Sequence, residues 1–308
     1  MSRHPALTEL YRGENPIVDI VAVHGLNGDA LMSWTTSKTG RCWLREPDML
    51  PSNLPQARVL TYSYNASVTE LFGRTSSDRI LEHAHTLVAE LIADRQLENA
   101  SRRPLIFVCH SLGGIIVKRA IILSQSRTAK SIQNMHSIYV STFGLLFLGT
   151  PHDGSTKAGI ASSTRRIVDV MVPSKLCDTD GQLLEALKPG SEALKNITDL
   201  FVPLMKKFRI YFFWEQEKTD LHVTNDYIVT ESSAAPILDG TERCGLPYDH
   251  RNLCRFESRT SPGYRVVVAA LMRYSEEASY VVAQRWIHTD SLLRSMRTNE
   301  AAELFIGT

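Results

Sequence analysis

The stretch Leu105–Gly114 reads LIFVCHSLGG. Its first four residues are apolar and predict a short buried strand, while the apolar run Leu112–Ser124 predicts a helix directly after the turn. A serine held in a sharp turn between a strand and a helix is typical of a nucleophile elbow, which needs small residues two positions before and after it. Gly113 meets this requirement, and Cys109 stands where glycine is usual. Ser111 is therefore the candidate nucleophile.

Short apolar runs alternate with longer amphipathic stretches along the rest of the chain. Strands are predicted at Ile17–Val23, Arg58–Tyr64, Leu105–Cys109, Gly144–Leu148 and Arg209–Trp214, with a shorter candidate at Tyr227–Thr230. Helical spacing of apolar residues predicts a helix over Ser77–Leu97. Strands separated by helices favour right-handed crossovers and a mostly parallel sheet with helices on both faces. The expected fold class is α/β.

The 308 residues contain no evident linker, so one domain spanning residues 1–308 is expected. Residues 155–207 are too long for a simple connection. They would form a helical cap over the site or cover one face of the sheet, and the sequence supports both interpretations equally. Two helices, Tyr264–Arg273 and Glu276–Leu293, are expected to close the domain within residues 262–308.

The charge balance excludes several classes of protein. Lys and Arg number 34 against 33 Asp and Glu, and a net charge of +1 argues against a nucleic-acid partner.

No run approaches the ~18 apolar residues of a transmembrane segment, and the first residues lack a signal sequence, so a cytoplasmic location is expected. The five cysteines include no CxxC pair and predict reduced thiols. No metal and no other cofactor is expected, and the oligomeric state stays open.

The oxyanion-binding groups are sought where the first predicted strand ends, because ligands bind at the carboxyl ends of parallel strands. His24–Gly28 follows that strand. The backbone amides of Leu26 and Leu112 would face the carbonyl oxygen of a bound ester and form an oxyanion hole. His24 is expected to brace this loop rather than to transfer a proton.

A serine nucleophile needs a histidine to accept its proton, and in this topology the chain order is serine, acid, histidine. His250 lies on a loop late in the chain and is the candidate base. Glu215 directly follows an aromatic strand and is the first candidate for the acid. Asp226 is the second, because its context resembles the lipase pattern D-x-x-V-x-x-x-S.

Five segments in this order resemble the motifs of a known family: VAVHGLNG from Val21, HSLGGIIVK from His110, FLGTPHDGS from Phe147, ESSA from Glu231 and DHRNLCRF from Asp249. Together they resemble the lipase-like serine esterases related to GPI-inositol deacylase and to serine-active-site-containing mitochondrial proteins. The strongest likeness is to the hydrolase domains at the N-terminus of fungal NOD-like receptors.

The resemblance covers roughly residues 17–264 and implies the α/β-hydrolase fold, with Ser111 as nucleophile and His250 as base. In the family the acid is usually a glutamate between an aromatic residue and threonine. Here the sequence is Trp214-Glu215-Gln216, which favours Glu215 although the following residue differs.

These observations predict a serine hydrolase that cleaves a small-molecule or lipid carboxylic ester through an acyl-enzyme. Acyl transfer to an alcohol or a thiol uses the same residues, so an acyltransferase or thioesterase is an alternative. A signalling or interaction domain with little turnover is the alternative from another class. The sequence contains no GxxxxGK motif, and both a stand-alone hydrolase and an excised effector domain stay open.

Overall fold

The computed structural model describes residues 6–66, 76–129, 134–152, 163, 166–167, 195–220 and 225–306. A seven-stranded sheet lies at its centre. The strands are β1 (Leu7–Arg12), β2 (Val18–Val23), β3 (Ala57–Tyr62), β4 (Leu105–His110), β5 (Thr142–Leu148), β6 (Arg209–Glu215) and β9 (Thr241–Leu246), with β7 (Thr219–Asp220) and β8 (Asn225–Asp226) forming a separate pair. The sheet order is β1-β3-β2-β4-β5-β6-β9, and every neighbouring pair is parallel except β1 with β3.

Helices lie on both faces of this sheet. They are α1 (Leu50–Asn53), α2 (Ser76–Leu97), α3 (Gly113–Gln125), α4 (Ser137–Ser141), α5 (Glu231–Ala234) and α6 (Tyr264–Ile306), and residues 195–201 are helical as well. Strand β2 (VDIVAV) shows why five of its six residues are apolar. Val21 and Val23 pack into the core cluster shared with α2 and α3, whereas Ile20 and Ala22 pack into the cluster shared with α6. A strand covered on both faces needs apolar side chains on both.

The sheet order also places the site. β3 lies on one side of β2 and β4 lies on the other, so the direction of winding reverses between them. Such a reversal opens a crevice at the carboxyl ends of the two strands. Val23 pairs with Cys109 at those ends, which brings the loop after β2 beside the turn after β4. The predicted α/β class is confirmed by this topology.

Two edge strands were not predicted, and one predicted strand is wrong. β1 and β9 carry mixed polar and apolar side chains that are mostly half-buried, so they lack the apolar run by which the central strands are recognised. Tyr227–Thr230 forms no strand. Ile228 and Val229 are buried, but the Val229 amide donates to the carboxylate of Glu215 and not to a neighbouring strand.

The two predicted C-terminal helices are one continuous helix, α6. Ser275 stood at the expected break between them. In the structure its hydroxyl donates to the carbonyl oxygen of Leu271, so the serine is satisfied inside the helix and does not end it.

Most of the predicted cap, residues 155–207, lies outside the described residues, which include only 163, 166–167 and 195–207 of it. In the last of these ranges, Ile197 and Phe201 are buried in the same core cluster as α3. That part packs beside the sheet, and the cap itself stays a prediction.

Lys118 is a buried cation on α3 that the sequence analysis gave no role. It is 1% exposed, and its Nζ donates to Thr198 Oγ1 at 3.3 Å. The ammonium lies 5.7 and 5.9 Å from the ring centres of Phe147 and Phe201. Within the described ranges no carboxylate pairs with it. Burial therefore lowers the pKa of Lys118 to about 7.

We expect Lys118→Met to raise the free energy of unfolding at pH 7 by about 1–2 kcal/mol, because it removes a buried charge without a counter-ion. The folded-state pKa is below the unfolded one, so the cost of Lys118 is full below about pH 7 and fades as the pH rises towards 10. The gain should therefore be smaller at pH 9.5. Urea denaturation at both pH values measures the gain in the free energy of unfolding, and the exposed Lys38→Met is the control. An equal gain at both pH values would contradict the explanation by a buried charge.

Candidate active site

Ser111 stands in the turn between β4 and α3 with a φ of +52°, in the left-handed region that serine rarely adopts. Three hydrogen bonds hold this backbone. The Ser111 amide donates to the Leu148 carbonyl at 2.9 Å, and the Ser111 carbonyl accepts from Thr150 Oγ1 at 2.8 Å and from the Gly114 amide at 3.1 Å. The side chain is thereby directed away from the strand and helix axes, as an elbow requires.

The two glycines after the elbow are sterically required. A Cβ on Gly113 would lie 2.3 Å from the His24 carbonyl oxygen, and a Cβ on Gly114 would lie 2.3 Å from Thr150 Oγ1. Both distances are far shorter than any real Cβ contact. The contact of Gly113 is to a backbone atom, so no side-chain rotation could relieve it. The glycine pair therefore allows α3 to approach the loops that follow β2 and β5.

The structure brings together Ser111, His250 and Glu215. Ser111 Oγ lies 2.9 Å from His250 Nε2, and His250 Nδ1 lies 3.1 Å from Glu215 Oε2. The other carboxylate oxygen of Glu215 accepts from the Val229 amide at 2.7 Å. All three catalytic candidates are at most 2% exposed, so these hydrogen bonds lie in a medium of low dielectric constant.

Asp226 lies in another setting. Its carboxylate pairs with Arg166 at 3.0 Å and accepts from the Tyr227 amide at 2.8 Å, and its side chain is 40% exposed. It makes no contact with His250 in the described part of the chain. Of the two acid candidates, the structure therefore places Glu215 next to the imidazole.

The main chain of His250 is fixed on both sides by side chains that sequence analysis did not assign to the site. Its amide donates to Thr219 Oγ1 at 3.2 Å. Its carbonyl oxygen accepts from His110 Nε2 at 2.9 Å, and the two rings lie 5.2 Å apart. Burial lowers the pKa of His110 to about 3, so this ring is neutral at neutral pH. His110 is therefore a donor to the loop and not a second base.

The loop after β2 is braced by aromatic rings. His24 stacks on Tyr64 with ring centres 4.4 Å apart, and Tyr64 Oη donates to the His24 carbonyl at 2.7 Å. Burial lowers the pKa of His24 to about 4, which fits a neutral, bracing role.

The amides of Leu26 and Leu112, the two candidates for the oxyanion hole, donate to no acceptor among the described residues. Both residues are buried, and buried amides without an acceptor are rare in proteins.

The residues missed by sequence analysis share one signal. Tyr64 and Thr150 each follow the carboxyl end of a strand, the edge at which the site was sought. His152, on the same edge, packs its ring against Phe147 and Phe212 at 4.8 and 4.6 Å between centres.

A cavity of about 110 Å³ adjoins the Leu26 loop and is also lined by His110 and Arg255.

Two further observations concern metals and membranes. Among the described side chains, no group of three or more His, Cys, Asp or Glu residues is arranged to hold a metal ion. None of the described helices combines the length and the apolar character needed to cross a bilayer. The cytoplasmic location stays a prediction.

A mostly parallel sheet that carries a serine elbow at its carboxyl edge defines the α/β-hydrolase fold, and this chain has that fold. A family model described as "Putative serine esterase (DUF676)" matches residues 18–184. That match covers more than half of the chain, so the chain belongs to this family.

Curated relatives agree with this assignment. The chain is 24% identical over 265 residues to Protein SERAC1 of Bos taurus, covering 80% of this chain and 37% of the relative. It is 23% identical over 263 residues to Protein SERAC1 of Homo sapiens, with 80% and 37% covered. The chain thus spans less than two-fifths of the length of these relatives. Both are animal proteins, so they do not support the fungal side of the predicted resemblance.

Solved structures with a similar backbone include a carboxylesterase of Nitrososphaera gargenis, at 12% identity and a TM-score of 0.47 over 88% of this chain and 95% of that one. A structure titled "Lipase (Open form)" has 12% identity and a TM-score of 0.46 over 89% and 99%. Both scores are low, so the fold assignment rests on strand order and connections.

We expect Tyr64→Phe to slow the reaction of Ser111 with a fluorophosphonate by about tenfold while the ring stacking on His24 is kept. The variant removes only the hydrogen bond to the His24 carbonyl, and a loosened loop positions its amides less well. The labelling rate measures this. Tyr11→Phe is the matched control, since it also loses a hydrogen bond to a carbonyl, on the edge strand β1; equal slowing in both variants would contradict the positioning role.

Proposed function

We propose that this chain is a serine hydrolase that cleaves carboxylic esters through a triad of Ser111, His250 and Glu215. The observation that carries the proposal is the continuous buried hydrogen-bond chain from Ser111 Oγ through the imidazole to Glu215. Family membership supports hydrolase chemistry in general. The roles of the three residues and the carboxylic ester as substrate go beyond what family membership supports.

In the first half-reaction, Ser111 Oγ attacks the ester carbonyl while its proton passes to His250 Nε2. The carbonyl oxygen becomes an oxyanion, which the amides of Leu26 and Leu112 are free to bind. Glu215 holds the Nδ1 proton of His250 and stabilises the imidazolium. When the tetrahedral intermediate collapses, His250 gives its proton to the alcohol, which leaves, and Ser111 keeps the acyl group.

In the second half-reaction, water loses a proton to His250 and attacks the acyl-enzyme. The carboxylic acid is released and Ser111 regains its proton. An alcohol or thiol in place of water would give acyl transfer by the same residues. The ester can belong to a small molecule or to a lipid.

A fluorophosphonate probe tests the nucleophile. We expect wild-type protein to be labelled and Ser111→Ala to be unlabelled, because only an activated serine reacts with this electrophile. Ser279→Ala, which changes an exposed serine on α6, should label like wild type. Hydrolysis of p-nitrophenyl esters of increasing chain length then measures the acyl preference. If folded wild-type protein is neither labelled nor active, the interaction-domain alternative replaces the hydrolase.

Paired isosteric variants test the acid. We expect Glu215→Gln to lower kcat/KM for the ester by about a thousandfold, because an amide neither orients the imidazole correctly nor stabilises its charged form. Asp226→Asn should stay within about twofold of wild type, since its partner is Arg166. Circular dichroism and thermal unfolding check that both variants fold. The reverse pattern of activities would assign the acid to Asp226.

A further inference from the structure

A groove lies at the amino ends of three neighbouring strands. Phe143, Arg209 and Thr241 stand at the starts of β5, β6 and β9, and all three line it. Its volume of about 650 Å³ falls within the range of small-molecule sites. The strand ends, the 3-10 helix Val202–Lys207 and α6 form its walls, which makes it an open, concave groove.

This groove is separate from the candidate active site. β4 and β5 pair in parallel, with Leu105 opposite Thr142 at one edge of the sheet and His110 opposite Leu148 at the other. Ser111 follows the second edge, and the groove lies at the first. Seven strand residues span roughly 20 Å. Changes in the groove can therefore be made without touching the residues of the triad.

The floor of the groove is apolar. Phe143 and Phe208 are buried, and Met205 and Val281 are half-buried beside them. Val202 is 53% exposed at the mouth, although it is an aliphatic residue. Apolar side chains clustered around a concave surface are typical of a site that binds an apolar group.

The charges around the groove are unequal. Among the described residues, four cations line it against two carboxylates, and one carboxylate, Glu277, is already paired with Arg209 at 2.9 Å. Lys206 and Lys207 are exposed, and neither forms an ion pair in the described part of the chain. Asp239 is the remaining carboxylate of the lining.

The fourth cation, Arg285, is half-buried. Its guanidinium donates to the carbonyl oxygens of Thr142 and Lys207, and no carboxylate pairs with it among the described residues. The groove therefore combines an apolar floor with a net positive mouth. Those two properties together select an occupant that has an alkyl part and a negative charge.

We propose that this groove binds a single-chain amphiphile with an anionic headgroup. The alkyl chain lies along Phe143, Phe208 and Val281, and the headgroup lies against Lys206 and Lys207. A cationic amphiphile would meet like charges at the mouth, and a neutral one would gain no attraction from the two ammonium groups. This site is independent of the proposed ester hydrolysis.

Binding is tested with dodecanoate and dodecyl phosphate, each below its micellar concentration, by titration calorimetry on the full chain. We expect Lys206→Glu/Lys207→Glu to weaken binding by about tenfold or more and added salt to weaken wild-type binding. Lys38→Glu/Arg265→Glu carries the same charge change at exposed positions outside the groove and should bind like wild type. Binding of either probe supports the site, with the tighter one telling a carboxylate from a phosphate headgroup, and no binding of either would overturn it.

Location is tested by crosslinking with a diazirine-bearing dodecanoate and mass spectrometry. Labelled peptides should contain residues 202–209, 238–241 or 277–285. Labelling confined to peptides with Ser111 or His250 would overturn the proposal, as would equal weakening in both double variants. Dodecyltrimethylammonium binding as tightly as dodecanoate would overturn it too. Because both double variants keep the triad, an unchanged fluorophosphonate labelling rate separates loss of the groove from loss of the hydrolase.

Discussion

The left-handed backbone of Ser111 is the constraint on which the rest of the site depends. A non-glycine residue in this region costs on the order of 1–3 kcal/mol and persists only where its surroundings determine it. Here the hydrogen bonds to Leu148 and Thr150 do so, together with the tight contact of Gly113 on the loop after β2. Those partners belong to β5 or to the loops that follow β5 and β2, the strands on either side of β4. The central sheet must therefore be assembled before the serine can hold this conformation.

The proposed base and acid reach the serine from the second half of the chain. His250 lies 139 residues after Ser111, and Glu215 ends the strand β6. Thr219 and His110 fix the main chain of His250, and the Val229 amide fixes the carboxylate of Glu215. Each member of the hydrogen-bond chain is thus held by a group that is itself buried or part of the sheet edge. Burial strengthens these hydrogen bonds and makes an unpaired group costly, so the arrangement is rigid.

The errors of sequence analysis have physical causes. β1 and β9 are edge strands whose half-buried faces dilute the apolar pattern. Tyr227–Thr230 is as apolar as a strand, but Ile228 and Val229 pack into the core from a loop whose Val229 amide donates to Glu215, and an apolar pattern does not distinguish a buried loop from a buried strand. Ser275 resembles a helix break because serine competes for backbone hydrogen bonds, yet its hydroxyl bonds within α6.

By itself, the sequence determined the α/β class, the central strands and the elbow at Ser111, because these depend on short-range patterns of apolar residues and glycine. It also singled out His250 as the candidate base and ranked Glu215 ahead of Asp226 as the candidate acid. Only the tertiary structure shows that Glu215, and not Asp226, lies within hydrogen-bond reach of the His250 imidazole, because this depends on where the fold carries each carboxylate. The groove at the opposite edge of the sheet was likewise invisible in the sequence, because its walls come from four separate segments between Phe143 and Arg285 that meet only when β5, β6, β9 and α6 pack together.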